Sequence, residues 1–361
     1  MPDSPKPLWP DTRLLDLFGL THPIIQAPMA GVSSTDMAIA AANAGCMGSL
    51  GCAMTPAPDL ANQLRDVATR TNGPVNFNFF VHQEPDLAAF DDTAIRTHLQ
   101  PAYDEAGLGP VPAPKSGAAA FNDATLDILL ARAPKIVSFH FGLPEPHVVA
   151  ALKERGVKLI GCATSIAEAK ALEVGGMDAI VAQGAEAGGH RGSFIGEPHL
   201  NDMGTMALVP LLVDAVRVPI IAAGGIFDGR GIAAAFMLGA SGVQIGTAFM
   251  RATEATTHPL HRQALATRGD AETRLTRLFS GRPARALRNR LTDEWQDMED
   301  FTAPFPAQRS LITPLAKAAL GQGKLDFHNM WSGQTGCRAE EKSTTEIIEN
   351  LVTSALTRLA I

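Results

Sequence analysis

The stretch VPIIAAGGIFDGRGIAAAFMLGASGVQIGT, residues 218–247, decides the architecture. It opens on an apolar run that ends in Gly224-Gly225. It passes through a segment of helical character and closes on a second apolar run that ends in Gly246-Thr247. Asp228 stands where a helix N-cap belongs, because its carboxylate can accept the first free backbone N–H groups. Neither apolar run alternates with polar residues, as a strand with one wet face does. Near-continuous apolar strands belong to parallel sheets covered on both faces.

The same unit recurs along the chain. Apolar runs at 23–29, 46–51, 74–80, 135–142, 157–164 and 177–184 precede the pair at 218–225 and 241–247. Between them lie helix-like segments such as TDMAIAAANAG, stopped by a glycine. Another, SIAEAKALEVGG, opens with Ser165 and Glu168 spaced like a capping box. Eight alternations predict an α/β chain folded as a (β/α)8 TIM barrel, whose usual size is about 250 residues. A doubly wound open sheet is the alternative, but no GxGxxG follows the first strand.

Residues 1–251 are therefore read as the barrel. Residues 252–330, with TRLTRLFSGRPARALRNRL at 273–291, are read as an accessory, mostly helical region over the barrel mouth. Residues 331–361 return to the barrel, and STTEIIENLVTSALTRLAI is expected to dock outside it as a helix. Residues 82–121 form a long connection after the third strand.

Hydrophobic residues make up 46% of the chain and charged ones 19%, enough to bury a large core. The net charge of -7 argues against nucleic acid as a general partner. The four cysteines are scattered without a CxxC pair, which reads as reduced thiols of a cytoplasmic protein. The N-terminus lacks a signal-peptide core, and no apolar run approaches the roughly 18–20 residues of a membrane span. No HExxH or histidine–carboxylate cluster suggests a metal.

Barrels of this kind carry their chemistry at the C-terminal ends of the strands. Gly224, Gly225, Gly246 and Thr247 fall after the seventh and eighth strands, the usual phosphate position. Gln26, Asn76, Gln183 and Gln244 could ring a heteroaromatic ligand with amide donors and acceptors. Met29, after Ala27-Pro28, is suited either to a ring face or to the core. Just past the sixth strand, AQGAEAGGHRG (182–192) places His190 beside Gly188 and Gly189. An imidazole there suits proton abstraction. His140 reads equally as a pocket residue or a buried, hydrogen-bonded one, while His82 and His22 read as surface residues. Glu186 and Arg191 could form a structural ion pair.

Taken together, PIIQAPMAGVSS, PVNFNFF, VSFHFG, DAIVAQGAEAGGHRG, IIAAGGIFDGRGIAAAFMLGASGVQIGTAF, FSGRPARALRN and WSGQ (331–334) resemble the nitronate monooxygenases, and the resemblance covers most of the chain. It implies a tightly held, non-covalent FMN. The implied contacts are Ala27, Met29, Asn76, Gln183, Gly188, Gly189, Gly224, Gly225, Gln244, Ile245, Gly246 and Thr247, with Trp331, Gly333 and Gln334 closing over the cofactor. His190 matches the active-site histidine, and His140, Phe141 and Ser280 fall on the substrate side. SFHFGLP and WSGQ resemble the class that needs no NAD(P)H. The implied reaction takes a nitroalkane or nitronate and O2 to a carbonyl compound and nitrite, with simple alkyl nitronates or propionate 3-nitronate as substrates.

Members of that class often surround the substrate with tyrosines, whereas this chain has only Tyr103. Phe80, Phe139, Phe141, Phe279 or His140 are the expected replacements. Three rival readings share some of these motifs. One is an NAD(P)H-oxidising flavin reductase of a quinone or enoyl thioester. Another is an IMP dehydrogenase-like barrel with Cys162 as nucleophile, and the third is a flavin-binding protein without turnover. The sequence leaves open whether the chain pairs as a homodimer.

Overall fold

The computed structural model describes residues 8–117, 120–196, 202–269 and 272–360. Its barrel strands are β1 (Ile24–Gln26), β2 (Gly48–Gly51), β3 (Val75–Phe80), β4 (Ile136–His140), β5 (Lys158–Ala163) and β6 (Ala179–Gln183), then β8 (Ile220–Ala223) and β9 (Gly242–Ile245). The short β7 (Gly189–His190) stands outside the barrel. All eight barrel strands fall inside the apolar runs read from the sequence. They pair in parallel in the order β1-β9-β8-β6-β5-β4-β3-β2. The ring closes where Gln26 N–H donates to the Met47 carbonyl at 2.9 Å and Met47 N–H to that of Ile24 at 3.0 Å.

Helix α1 (Arg13–Phe18) precedes the barrel, and Leu14 and Phe18 pack with the inward residues Ile25, Ile136, Ile160, Val181 and Ile221. The helices between strands are α2 (Thr35–Asn43), α3 (Ala57–Arg70), α4 (Thr93–Glu105), α5 (Asp123–Arg132), α6 (Pro146–Glu154), α7 (Ile166–Val174), α8 (Thr205–Ala215) and α9 (Gly229–Met237). Asp228 caps α9 by accepting the Arg230 N–H at 2.9 Å. Ser165 caps α7, but Glu168 does not complete the box. Its buried carboxylate accepts the Thr164 N–H at 2.6 Å and the Phe194 and Ile195 N–H groups at 2.6 and 3.1 Å. It anchors the loop that follows β7.

The region after β9 contains α10 (Pro259–Thr267), α11 (Arg290–Glu294) and α12 (Gln308–Gly321). Its charged centre is a hairpin of β10 (Thr273–Thr276) and β11 (Ala284–Leu287), not a helix. The alternation of arginines with apolar residues there is a strand period. Helix α4, read above as part of the barrel segment, packs with this region. Ile95, Leu99 and Tyr103 share a buried cluster with Phe279, Leu311, Ile312 and Leu315, and the Tyr103 hydroxyl donates to the Leu311 carbonyl at 2.7 Å. The last helix, α13 (Thr344–Leu359), docks on α9 and α2, burying Ile347, Ile348, Leu351 and Ala355. Among the described residues no helix is long and apolar enough to cross a membrane.

Candidate active site

A cavity of about 520 Å³ opens at the C-terminal ends of the barrel strands, between them, the accessory region and the 328–335 segment. Cavities of this size suit a cofactor-sized ligand. Its barrel wall comprises Ala27, Met29, Gln183, Gly188, Gly189, Gly224, Gly225, Gln244, Gly246 and Thr247. His140, His190, Ser280, Trp331 and Gly333 also line it, as do the expected phenylalanines Phe80, Phe139 and Phe279. Asn76, Ile245, Gln334 and Phe141 do not reach the lining.

The reasons are local. Asn76 points away from the mouth and donates to Ser49 Oγ at 3.3 Å; two residues on, Asn78 takes the lining position and donates to Ser138 Oγ at 2.8 Å. Ile245 is a buried barrel residue, 1% exposed. Gln26 is also buried and satisfied, accepting the Ser49 N–H at 2.9 Å and donating to Ser33 Oγ at 3.0 Å. Gln183 lines the cavity, yet its amide clamps the neighbouring loop: Nε2 donates to the His190 carbonyl at 3.0 Å and Oε1 accepts the Gly192 N–H at 2.8 Å. Of the four amides singled out in the sequence, Gln244 alone lines the cavity with no protein partner among the described residues.

Gly225 and Gly246 also leave their N–H groups without a partner among the described residues. Free backbone donors at these two strand ends, with the free Gln244 amide between, fit a phosphorylated heteroaromatic group such as FMN. The 331–334 segment closes the same wall. Gly333 N–H donates to Thr247 Oγ1 at 2.9 Å, and Gln334 N–H to the Glu186 carbonyl at 3.1 Å. Gly188 makes this approach feasible: a Cβ there would stand 2.5 Å from Gly333 N.

His190 is held from both sides. As part of β7 it pairs with Ala284 of β11, so the accessory hairpin fixes its backbone. Gly189 before it takes φ +73°, a conformation costly for any other residue. Arg191 is fully buried and donates to the carbonyls of Gln183 and Gly184 at 2.8 and 2.7 Å. The carboxylate of Glu186 accepts the Thr205 hydroxyl at 2.8 Å.

The His190 ring sits in an aromatic wall, 5.4 Å from Phe305, 5.7 Å from Phe141 and 5.1 Å from Trp331. Its Nε2 lies 2.8 Å from Ser280 Oγ. Burial, then the nearby His140, Arg282 and Arg309, pushes its pKa down to about 3, so the ring is neutral at ordinary pH. His140 both lines the pocket and is hydrogen-bonded, with Nε2 at 3.2 Å from the His190 carbonyl; burial lowers its pKa to about 4.

Phe141 braces this wall from behind. It holds φ +73°, strained for a non-glycine residue, and the Arg282 guanidinium lies 4.3 Å above its ring. His82, expected at the surface, is 7% exposed with its ring 4.9 Å from Phe305. His22 is half-buried beside Trp9, 5.8 Å away. Cys162 lines the cavity, but burial pushes its thiol up to about 12, which leaves no thiolate for nucleophilic attack near neutral pH. Among the described residues no group of three or more histidine, cysteine, aspartate or glutamate side chains could hold a metal ion.

Sequence reasoning missed Asn78, Phe305 and the cavity-facing side of α12. That side carries Arg309, Ile312, Thr313, Ala316, Lys317 and Leu320. The spacing of three, four, seven, eight and eleven residues is a helix face and was readable as one. Phe305 had no such signal, because it lies in an irregular turn.

The model of the family described as nitronate monooxygenase matches residues 11–354. The chain belongs to the nitronate monooxygenase family. It is 39% identical over 341 residues to a nitronate monooxygenase of Paraburkholderia phytofirmans, covering 94% of this chain and 93% of that one. The solved nitroalkane oxidase of Streptomyces ansochromogenes superposes with a TM-score of 0.87 at 35% identity, covering 96% of this chain and 99% of the other. FabK of Thermotoga maritima is similar at a TM-score of 0.75 and 28% identity, with 96% and 97% coverage. Nitronate monooxygenases are oxidoreductases and generally flavin-dependent. The eight-stranded barrel is the fold this membership leads one to expect.

Proposed function

We propose that this chain binds FMN non-covalently and oxidises alkyl nitronates with O2 to carbonyl compounds and nitrite. The observation that carries the reading is a neutral His190, hydrogen-bonded to Ser280 and walled by aromatic rings, at the mouth of a barrel with free amide and backbone donors. Family membership supports the same reading. When bound, FMN supplies the one-electron chemistry. Gln244, Gly225, Gly246 and Thr247 would hold it, with the Trp331–Gly333 segment across one side.

The protein's own part is proton handling and enclosure. Ser280 Oγ lies 3.3 Å from the Arg282 carbonyl, to which its hydroxyl donates. Its oxygen then accepts Nε2–H of His190, which leaves Nδ1 as the lone pair. A neutral nitroalkane loses its α-proton to that atom and becomes the nitronate. A preformed nitronate skips this step. Phe80, Phe139, Phe279 and Phe305 line the substrate side where related enzymes place tyrosines, and they exclude water from the reacting carbon. This reading assigns His140 and Ser280 to orienting His190, and Phe141 to bracing it.

The likeness to FabK favours a second reading, a flavin enzyme that oxidises NAD(P)H and reduces an acceptor. Oxygen uptake and nitrite release with a nitronate panel, run with and without NADH, separate the two. Turnover of nitronates without NADH is expected. NADH-dependent turnover of a quinone with no nitrite from any nitronate would overturn the first reading. A colourless protein that FMN cannot reconstitute would overturn both.

A further inference from the structure

At the end of the cavity nearest His190, two distant parts of the chain meet through a single side-chain contact. Met54 belongs to the turn between β2 and α3, and Arg309 to the first turn of α12. The Arg309 guanidinium donates to the Met54 sulfur, and both residues line the cavity. Arg309 is near enough to His190 to depress its protonation, and Phe305, just before α12, lies edge-on to the His190 ring at 5.4 Å. The contact therefore stands at the reacting end. Met54 is 44% exposed and Arg309 is exposed as well, so this pair separates the cavity from solvent there.

The two sides of the contact are held very differently. Next to Arg309, the buried Gln308 accepts the Ala303 N–H at 2.9 Å and donates to the Leu278 carbonyl at 3.0 Å. On its other side, Ser310 Oγ accepts the Lys115 N–H at 2.9 Å. The start of α12 is thus pinned to the accessory region and to the long connection after β3. Met54 sits in a turn closed by the Thr55 N–H on the Cys52 carbonyl at 3.0 Å, and its side chain is unbranched and free to change rotamer. A thioether is a weak acceptor, and Arg309 has no carboxylate partner among the described residues. Swinging Met54 aside breaks one weak contact, whereas moving α12 breaks several strong ones.

We propose that Met54 is a specificity-determining gate: closing against the fixed Arg309, its side chain sets the width of group that reaches His190 and so selects nitronates by the bulk around the reacting carbon. This rests on the reading of the cavity as a nitronate site and specifies which nitronates it admits. Unhindered primary nitronates pass, and branched or cyclic ones wait on the open rotamer. A gate of this kind acts on entry, so it changes kcat/KM and leaves kcat nearly alone.

The test uses the purified flavin-loaded protein and the nitronates of nitroethane and nitrocyclohexane. Met54→Ala is expected to raise kcat/KM for the cyclic substrate roughly tenfold while nitroethane nitronate stays near its wild-type value. Met54→Leu should behave as wild type, and Met54→Trp should lower kcat/KM for the cyclic substrate more than for the small one. Independently of turnover, acrylamide should quench the fluorescence of the bound flavin more strongly in Met54→Ala. An equal change with both substrates, or selectivity and quenching both unmoved, overturns the proposal. Stronger quenching without nitrite from any nitronate would support the gate and sink the nitronate reading instead.

Discussion

His190 and Ser280 lie ninety residues apart in the chain, and their side chains meet at 2.8 Å. One belongs to the loop that leaves the barrel, the other to the turn between β10 and β11. Removing the hydroxyl unties the ring from its only side-chain hydrogen-bond partner among the described residues. Ser280→Ala is expected to lower kcat for a neutral nitroalkane about tenfold, and His190→Asn by about 10²–10⁴-fold, the usual range for a positioned acid or base. Both variants should stay yellow and turn over preformed nitronates far better than nitroalkanes. Nitrite release from the two substrate forms checks this; equal losses on both would remove His190 as the base.

The depressed protonation of His190 fixes a pH dependence. Its folded pKa of about 3 lies below the ordinary value of 6.5, so the imidazole stays neutral as pH falls through 6.5. Nitroalkane kcat/KM should therefore show no histidine inflection between about pH 5 and 8. Stability behaves differently. His140 and His261 are also pushed down, to about 4 and about 3. Between pH 6.5 and those values the unfolded chain binds more protons than the folded one, so stability falls as pH falls. Each histidine contributes a slope of at most about 1.4 kcal/mol per pH unit. Thermal melts from pH 7 to pH 4.5 should decline, and His261→Gln should flatten the decline.

Two neighbouring glycines should respond to alanine for different reasons. A Cβ at Gly188 meets backbone, 2.5 Å from Gly333 N, and must push the 331–334 segment off the wall. Gly188→Ala is expected to cost about 1–3 kcal/mol and to release flavin. A Cβ at Gly189 meets nothing within 4 Å, but φ of +73° costs about 1–2 kcal/mol for an L-residue. Gly189→Ala should thus lower Tm while flavin retention stays nearer to wild type. Melting temperature and bound flavin, measured together, distinguish the cases.

Glu168 offers a test away from the cavity. Its carboxylate receives three backbone N–H groups and the Thr164 hydroxyl inside the protein. Glu168→Gln keeps the size but turns an N–H2 toward those donors, leaving at least one unsatisfied at about 1–3 kcal/mol. A drop in Tm with disordering of residues 193–195, seen by hydrogen exchange, is the expected outcome. An unchanged melt would show that the loop after β7 is held by other contacts.

The barrel was legible because apolar runs buried on two faces announce themselves one at a time. Gly224, Gly225, Gly246 and His190 were legible because they follow those runs directly. What the sequence concealed depends on pairing between distant segments. β7 is two residues long and exists only because β11 lies beside it. Nothing near Gln26 or Asn76 shows that Ser49 already bonds to each. Glu168 has capping-box spacing, yet a loop some 26 residues away takes its carboxylate. The hairpin within 273–287 was hidden by its many arginines, which mimic an exposed helix.

The late position of β11 and of the Trp331–Gly333 segment has a consequence for how the enzyme comes into being. Synthesis delivers the barrel strands and the His190 loop first, and domains tend to fold as the chain emerges. The loop then waits for residues 284–287 before its strand partner exists, and the cavity wall waits for 331–334. On the proposed reading, flavin loading would follow the synthesis of residues 331–334. A nascent or C-terminally truncated chain would own a barrel and a histidine without a working site.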